Sequence, residues 1–180
     1  MVPSDLSEEE WTLRDLLLAS PEKRGRMPKW PARRVVDAIF YLLSSGCAWG
    51  MLPREYPPWQ TVYYHFRKWR RDGRLKRAHD RLRVAVREAE GRELNASGAV
   101  LDNQAVKSTG VGGPERGYDG AKRLSGRKRH FLVDTGELIL GARVHAANLH
   151  DRDGAQVLLS DKLKEKLPVP RLKLVWAEGE

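Results

Sequence analysis

Two runs of strand-forming residues each deliver a carboxylate. Val100-Leu101-Asp102-Asn103-Gln104-Ala105-Val106 reads as a buried strand with Asp102 in its middle, and Leu172-Lys173-Leu174-Val175-Trp176-Ala177 reads as a strand followed at once by Glu178. An ionised carboxylate inside an apolar strand is costly unless a cation or a hydrogen-bond donor compensates it. Hard oxygen ligands of this kind suit Mg2+ or Mn2+. Two such ions about 4 Å apart can activate water and stabilise a leaving oxygen during in-line phosphoryl transfer. Asp102 and Glu178 are therefore the candidate catalytic and metal-binding residues. The plain alternatives are an edge-strand aspartate facing solvent and a terminal acid with no role.

The rest of the chain suits a polyanionic partner. Its 33 basic and 24 acidic residues give a formal charge of +9, which favours nucleic acid over an acidic small molecule. The basic residues cluster: Arg67, Lys68, Arg70, Arg71, Arg74, Lys76, Arg77, Arg81 and Arg83 face only Asp72 and Asp80, an excess fitted to backbone phosphates. A second group, Arg127, Lys128, Arg129 and His130, opens a predicted strand beside Lys122 and Arg123. If that strand pairs with the one bearing Asp102, the group can hold the scissile strand. His145, His150, Asp151 and Asp153 imitate a metal cluster, but Asp151 or Asp153 directly before an apolar-periodic helix is expected as an N-cap, and Asp134 before Thr135-Gly136 as a turn residue.

The elements that must position these groups follow from periodicity. Ser7 and Glu10 have capping-box spacing, opening a helix expected to end near Ser20-Pro21. A second helix is expected from Pro31 to Ser45. A third runs from Trp59 with Trp59, Val62, Tyr63, Phe66 and Trp69 in one stripe, expected to be core, and is stopped by Gly73. A fourth, Arg74 to about Glu90, should turn Leu75, Ala78, Leu82, Ala85 and Val86 inward. Residues 1–94 thus read as an all-helical domain, in which the second and third helices suit a helix-turn-helix variant.

From 95 to 180 the period changes. Strands are expected at 99–106, 128–134 and 138–146, then a helix at 153–167 and a strand at 172–177, the front half of an α/β domain. The 107–126 connection, with six glycines, is long for a plain turn. The single Cys47 excludes an internal disulfide. With no apolar run of membrane-spanning length, the chain is expected to be cytoplasmic, without membrane contact.

Four strings, GCAWGMLPREYPPWQTVYYHFRKWRRDG, LDNQAVKSTGVGGPERGYDGAKRLSGRKRHFLVDT, HAANLHDRDGA and LVWAEG, resemble those of bacterial insertion-sequence transposases of the DDE type. The resemblance implies an α+β chain: a helical DNA-binding domain, then a ribonuclease-H-like catalytic domain that uses two Mg2+ (or Mn2+) ions to cut DNA at the element's ends and join it to target DNA. It further implies double-stranded DNA partners (terminal inverted repeats and target), a homo-oligomer holding two ends, and a nucleoid-associated place in a bacterial cytoplasm. In that family two aspartates and a glutamate bind metal. The first matches Asp102, and Glu178 stands where the second aspartate is expected. The third, on a later helix, has no counterpart before Glu180. The resemblance therefore implies a C-terminally truncated member, incomplete as an enzyme, whether decayed, frameshifted or cut short as a gene model. The competing functions are a non-catalytic DNA-binding regulator or remnant of the element, and an RNA-processing nuclease of similar fold.

Overall fold

The structure, a computed structural model, describes residues 4–13, 29–108, 115–160 and 170–177. It divides into two compact units, Met1–Leu82 and Arg83–Glu180.

The first unit is helical. α1 (Glu8–Thr12) begins with the expected capping box: Ser7 Oγ accepts from the Glu10 amide at 3.1 Å, and Glu10 Oε2 accepts from the Ser7 amide at 2.8 Å. The expected continuation to Ser20-Pro21 lies outside the described residues. α2 (Ala32–Ser45) starts one residue later than the sequence suggests, with Pro31 as N-cap, and ends at Gly46 in the left-handed region (φ 65°), a conformation glycine adopts without Cβ strain. After a 3₁₀ turn at Trp49–Met51, α3 spans Trp59–Arg71. The α2–α3 connection, residues 46–58, far exceeds the about three to four residues of a simple helix-turn-helix, so any such motif here is an expanded variant.

Val35, Val36, Ala38 and Ile39 from α2 bury against Tyr56 and against Val62 and Trp69 from α3. A polar strap ties the chain's start to this core. The buried Asp37 carboxylate accepts from the Leu6 amide at 3.1 Å, and Tyr56 donates to Asp5 at 2.6 Å. Arg34 lies 3.6 Å from both Asp5 and Asp37. Burial, followed by the hydrogen bond to Asp5, pushes the Tyr56 hydroxyl up to about 12.

α4 (Arg74–Ala89) continues past residue 82 into the second unit. Its inward face differs from the apolar one expected. Ala78 is buried, yet Val86 is 40% exposed while Arg83 and Arg87 are buried. The reason is polar: Arg87 forms an ion pair with the buried Asp134 and donates to the Glu93 carbonyl at 2.6 Å. Asp134 is also the expected turn residue, accepting from the amides of Gly136 at 2.8 Å and Leu138 at 3.0 Å.

Among the described residues the second unit is built on a five-stranded sheet: β1 (Gly98–Lys107), β2 (Gly117–Asp119), β3 (Leu124–Asp134), β4 (Ile139–Ala146) and β5 (Leu174–Ala177). β3 pairs antiparallel with β1 on one edge and with β4 and β2 on the other. α5 (Asp151–Leu159) leads to β5, which lies parallel to β1. That is the antiparallel trio with a helical crossover to a fourth strand expected from the sequence. β2, inside the Gly-rich connection, was not foreseen, and the expected helix residues Leu163 and Leu167 lie outside the described residues. Ala99, Leu101, Leu132 and Leu140 meet Leu158 from α5. Burying side chains such as Leu132 and Leu158 contributes about 1.5–3 kcal/mol each.

Gly154 lets α5 approach the sheet, since a Cβ there would overlap the buried His130 ring. Gly154→Ala would ordinarily gain about 1 kcal/mol of helix propensity. Here it should destabilise the second unit by about 1–3 kcal/mol through overpacking, measured by urea unfolding. A variant at least as stable as the parent would show that α5 does not rest on this ring.

Candidate active site and nucleic-acid interface

Asp102 stands opposite Phe131 in the β1–β3 register. Side chains alternate along a strand and directly opposed residues share a face, so the register sorts the candidates. Asp102 and Phe131 share one face with the pairs Val100 and Val133, Gln104 and Arg129, and Val106 and Arg127. The other face carries Leu101 with Leu132, Asn103 with His130, and Ala105 with Lys128, and it packs under α5.

The expected burial of Asp102 is corrected: its side chain is exposed, and its Oδ1 accepts from the Asn103 amide at 2.7 Å. The strand is apolar because Leu101 and its partners face α5, whereas position 102 belongs to the open face. On the far side of β1, the pairing with β5 reaches Leu101 opposite Ala177. Glu178 lies outside the described residues. Among the described residues no group of three or more His, Cys, Asp or Glu side chains could hold a metal ion. One exposed carboxylate is still a donor set that magnesium accepts, since this ion usually keeps several waters and takes one or two carboxylates with substrate phosphates.

The run Arg127 to His130 does not act as one cluster. Arg127 and Arg129 share the face of Asp102, while Lys128 and His130 are buried on the opposite one. Lys128 donates to the Leu149 carbonyl at 2.9 Å and pairs with Asp151 at 2.7 Å and Asp119 at 3.5 Å. Burial pulls its ammonium down, but the hydrogen bond and charge of Asp151, with Asp119, outweigh it and raise the pKa. Lys122 is exposed, with Nζ 3.5 Å from Oδ1 of Asn103, a residue of the face opposite Asp102.

Asp151 is not the N-cap expected. His150 holds that position without a side-chain bond, and Asp151 sits in the first turn where Lys128 reaches it. Asp119 was missed by sequence reasoning because it lies in the Gly-rich connection. It accepts from the amides of Ala121 at 3.1 Å and Lys122 at 3.0 Å, and the Lys122 bond is the leading cause of its lowered pKa. His130 and His145 meet edge to face with ring centroids 5.2 Å apart. Burial lowers both imidazoles, His145 further lowering His130 and Arg143 lowering His145.

In the helical unit, α3 splits along its length. Val62 and Trp69 are buried, whereas Gln60, Tyr63, Tyr64, Arg67, Arg70 and Arg71 are exposed and line an open pocket of about 570 Å³. The aromatic stripe expected as core is thus only partly core, with Trp59 40% and Tyr63 37% exposed. Tyr63 is held between Trp49, at 5.0 Å between centroids, and the Arg67 guanidinium, 5.7 Å above its ring. Lys68 is half-buried, and Arg74, also expected at phosphates, pairs with Asp72 at 3.1 Å.

Residues 6–79 match the DUF4096 family of IS4/5 transposases, and residues 93–179 match the transposase DDE domain. No curated protein and no solved structure matches the chain. Among the described residues no helix is long and apolar enough to cross a membrane.

The histidine pair sets a pH dependence. Held neutral in the folded unit, His130 and His145 take up protons only below their ordinary value of 6.5, while the unfolded chain takes them up near it. Their contribution to stability is therefore full above about pH 6.5 and falls as the pH drops toward the lowered folded values. Urea midpoints should fall between about pH 7.5 and pH 5.5, and His130→Leu should flatten that fall. Parallel pH profiles for both proteins would refute the assignment.

Proposed function

The chain belongs to the insertion-sequence transposases of the DDE type, and we propose that it binds the ends of its element through a helical region, residues 1–94, and takes part in metal-dependent DNA cleavage and strand transfer through residues 95–180. The observation that carries this reading is the α5 crossover. It sets β5 parallel to β1 with Leu101 opposite Ala177, so that Asp102 stands beside the carboxyl end of β5 on a solvent-open face.

Asp102 would hold the divalent cation, with Glu178, next in sequence after β5, as a second carboxylate. When bound, such ions activate water and stabilise the leaving oxygen of a phosphodiester. The chain's own part is to fix Asp102 on a paired strand and to bring phosphates to it. Arg129 and Arg127, on the same sheet face, are the proposed phosphate contacts beside Asp102, and the exposed Lys122, whose Nζ meets Asn103 rather than Asp102, is proposed to contact the duplex away from the cation. In the helical region Arg67, Arg70 and Arg71, with Lys68 beside them, neutralise the duplex backbone. Two element ends brought together imply a homo-oligomer in the working complex.

A supercoiled plasmid carrying DNA that flanks the gene tests this reading in Mg2+ or Mn2+. Asp102→Asn should reduce nicking to background while gel-shift affinity persists. Nicking at the parental rate would exclude Asp102 from the chemistry, and binding without any nicking by the parent would favour a DNA-binding regulator. Arg70→Ala with Arg71→Ala should reduce the salt slope of binding by about one per lost phosphate contact, measured by titration at several salt concentrations.

A further inference from the structure

We propose that α3 reads base sequence in the major groove through Gln60 and Tyr64, while Arg67 and Arg71 on the same face grip the phosphates. The inference rests on the reading that α3 meets duplex DNA, and adds which residues recognise sequence. Gln60, Tyr64, Arg67 and Arg71 follow steps of four, three and four, so they form one line along the helix. That line lies opposite Val62 and Trp69, the residues that fix α3 to its core. All four are exposed, Tyr64 by 60%.

The line changes chemistry along its length. Its first half offers an amide and a phenol, its second half two guanidinium groups. A glutamine amide can pair with both Hoogsteen-edge atoms of adenine, and an apolar ring face can meet a thymine methyl. From Gln60 to Arg71 the helix rises roughly 16 Å, more than the groove width of about 12 Å. A helix entering by its first turn therefore carries Gln60 and Tyr64 to the base edges and leaves Arg67 and Arg71 at the groove wall.

Two local features favour this orientation. The N-cap of α3 is Pro58, which supplies no side-chain cap; its carbonyl takes the amides of Thr61 at 2.8 Å and Val62 at 3.2 Å, which leaves the Trp59 and Gln60 amides to meet a phosphate at the groove edge. The stacking of Arg67 over Tyr63, itself against Trp49, holds that guanidinium in a fixed direction. The face also suits DNA by charge: Arg67, Lys68, Arg70 and Arg71 are followed by Asp72 only at the helix end, where Arg74 pairs with it.

The test uses the full chain and duplexes carrying the gene-flanking DNA, set against unrelated duplex DNA. Gln60→Ala and Tyr64→Ala, both at exposed positions, should each lower the preference for the flanking DNA roughly ten-fold while affinity for unrelated DNA and the salt slope stay unchanged. Arg67→Ala with Arg71→Ala should weaken binding to every duplex and leave the preference intact. Replacing adenine with an analogue lacking N7 at the contacted step should cost the parent affinity and cost Gln60→Ala nothing, and replacing thymine with uracil should do the same for Tyr64→Ala. If both single variants keep the full preference, or the parent shows none, base reading by α3 is overturned while the transposase reading stands. If the arginine variant binds all duplexes as the parent does, α3 does not meet DNA at all.

Discussion

The alternation of side chains across the β1–β3 ladder is the constraint on which the second unit depends. One register, Asp102 against Phe131, decides simultaneously which residues enter the core and which stay on the opposite face with Asp102. A slip by one residue would exchange the faces, burying Asp102 beneath α5 and turning Leu101 and Leu132 to water. The apolar burial at Ala99, Leu101, Leu132 and Leu158 opposes that slip, so the core itself keeps the aspartate exposed. The carboxylate is thus held by a paired strand without the desolvation a buried ion would suffer.

Lys128 shows the same sheet using charge on its covered face. Its ammonium ties β3 to Asp151 at the start of α5, to Asp119 at the end of β2, and to the Leu149 carbonyl. Buried ion pairs seldom add much net stability, because desolvation offsets the attraction. Their value here is geometric, since the pairs fix where α5 starts relative to β3. His130 lies against Gly154 beside them, and the close helix approach this permits brings Leu158 onto the sheet.

The helical unit divides labour in a comparable way on a single helix. α3 spends Val62 and Trp69 on packing and leaves the opposite side to polar, aromatic and cationic groups. Because the stripe of 3.6-residue period is narrower than the run of aromatic residues, Trp59 and Tyr63 fall toward its margin and remain partly exposed. The Asp5, Arg34, Asp37 and Tyr56 strap holds the chain's beginning to α2, so the helices that carry the basic face share one anchored core.

By itself the sequence determined the order and type of the elements: the capping box at Ser7 and Glu10, the helix ended by Gly46, the three strands, the helical crossover and the aspartate at 102. Each is written in local signals, either a short-range hydrogen bond or a period of two or 3.6 residues. The motif strings likewise carried the family. What only the tertiary structure decided was which face each side chain occupies and which partner it meets. Strand period alone does not say which of two faces a helix will cover. Alternation splits Arg127 and Arg129 from Lys128 and His130, but only the packing of α5 decided that Lys128 and His130 are the covered pair. Asp119 and Arg87 escaped notice for the same reason: their partners, Lys128 and Asp134, lie far along the chain, and no local pattern encodes a meeting between distant charges.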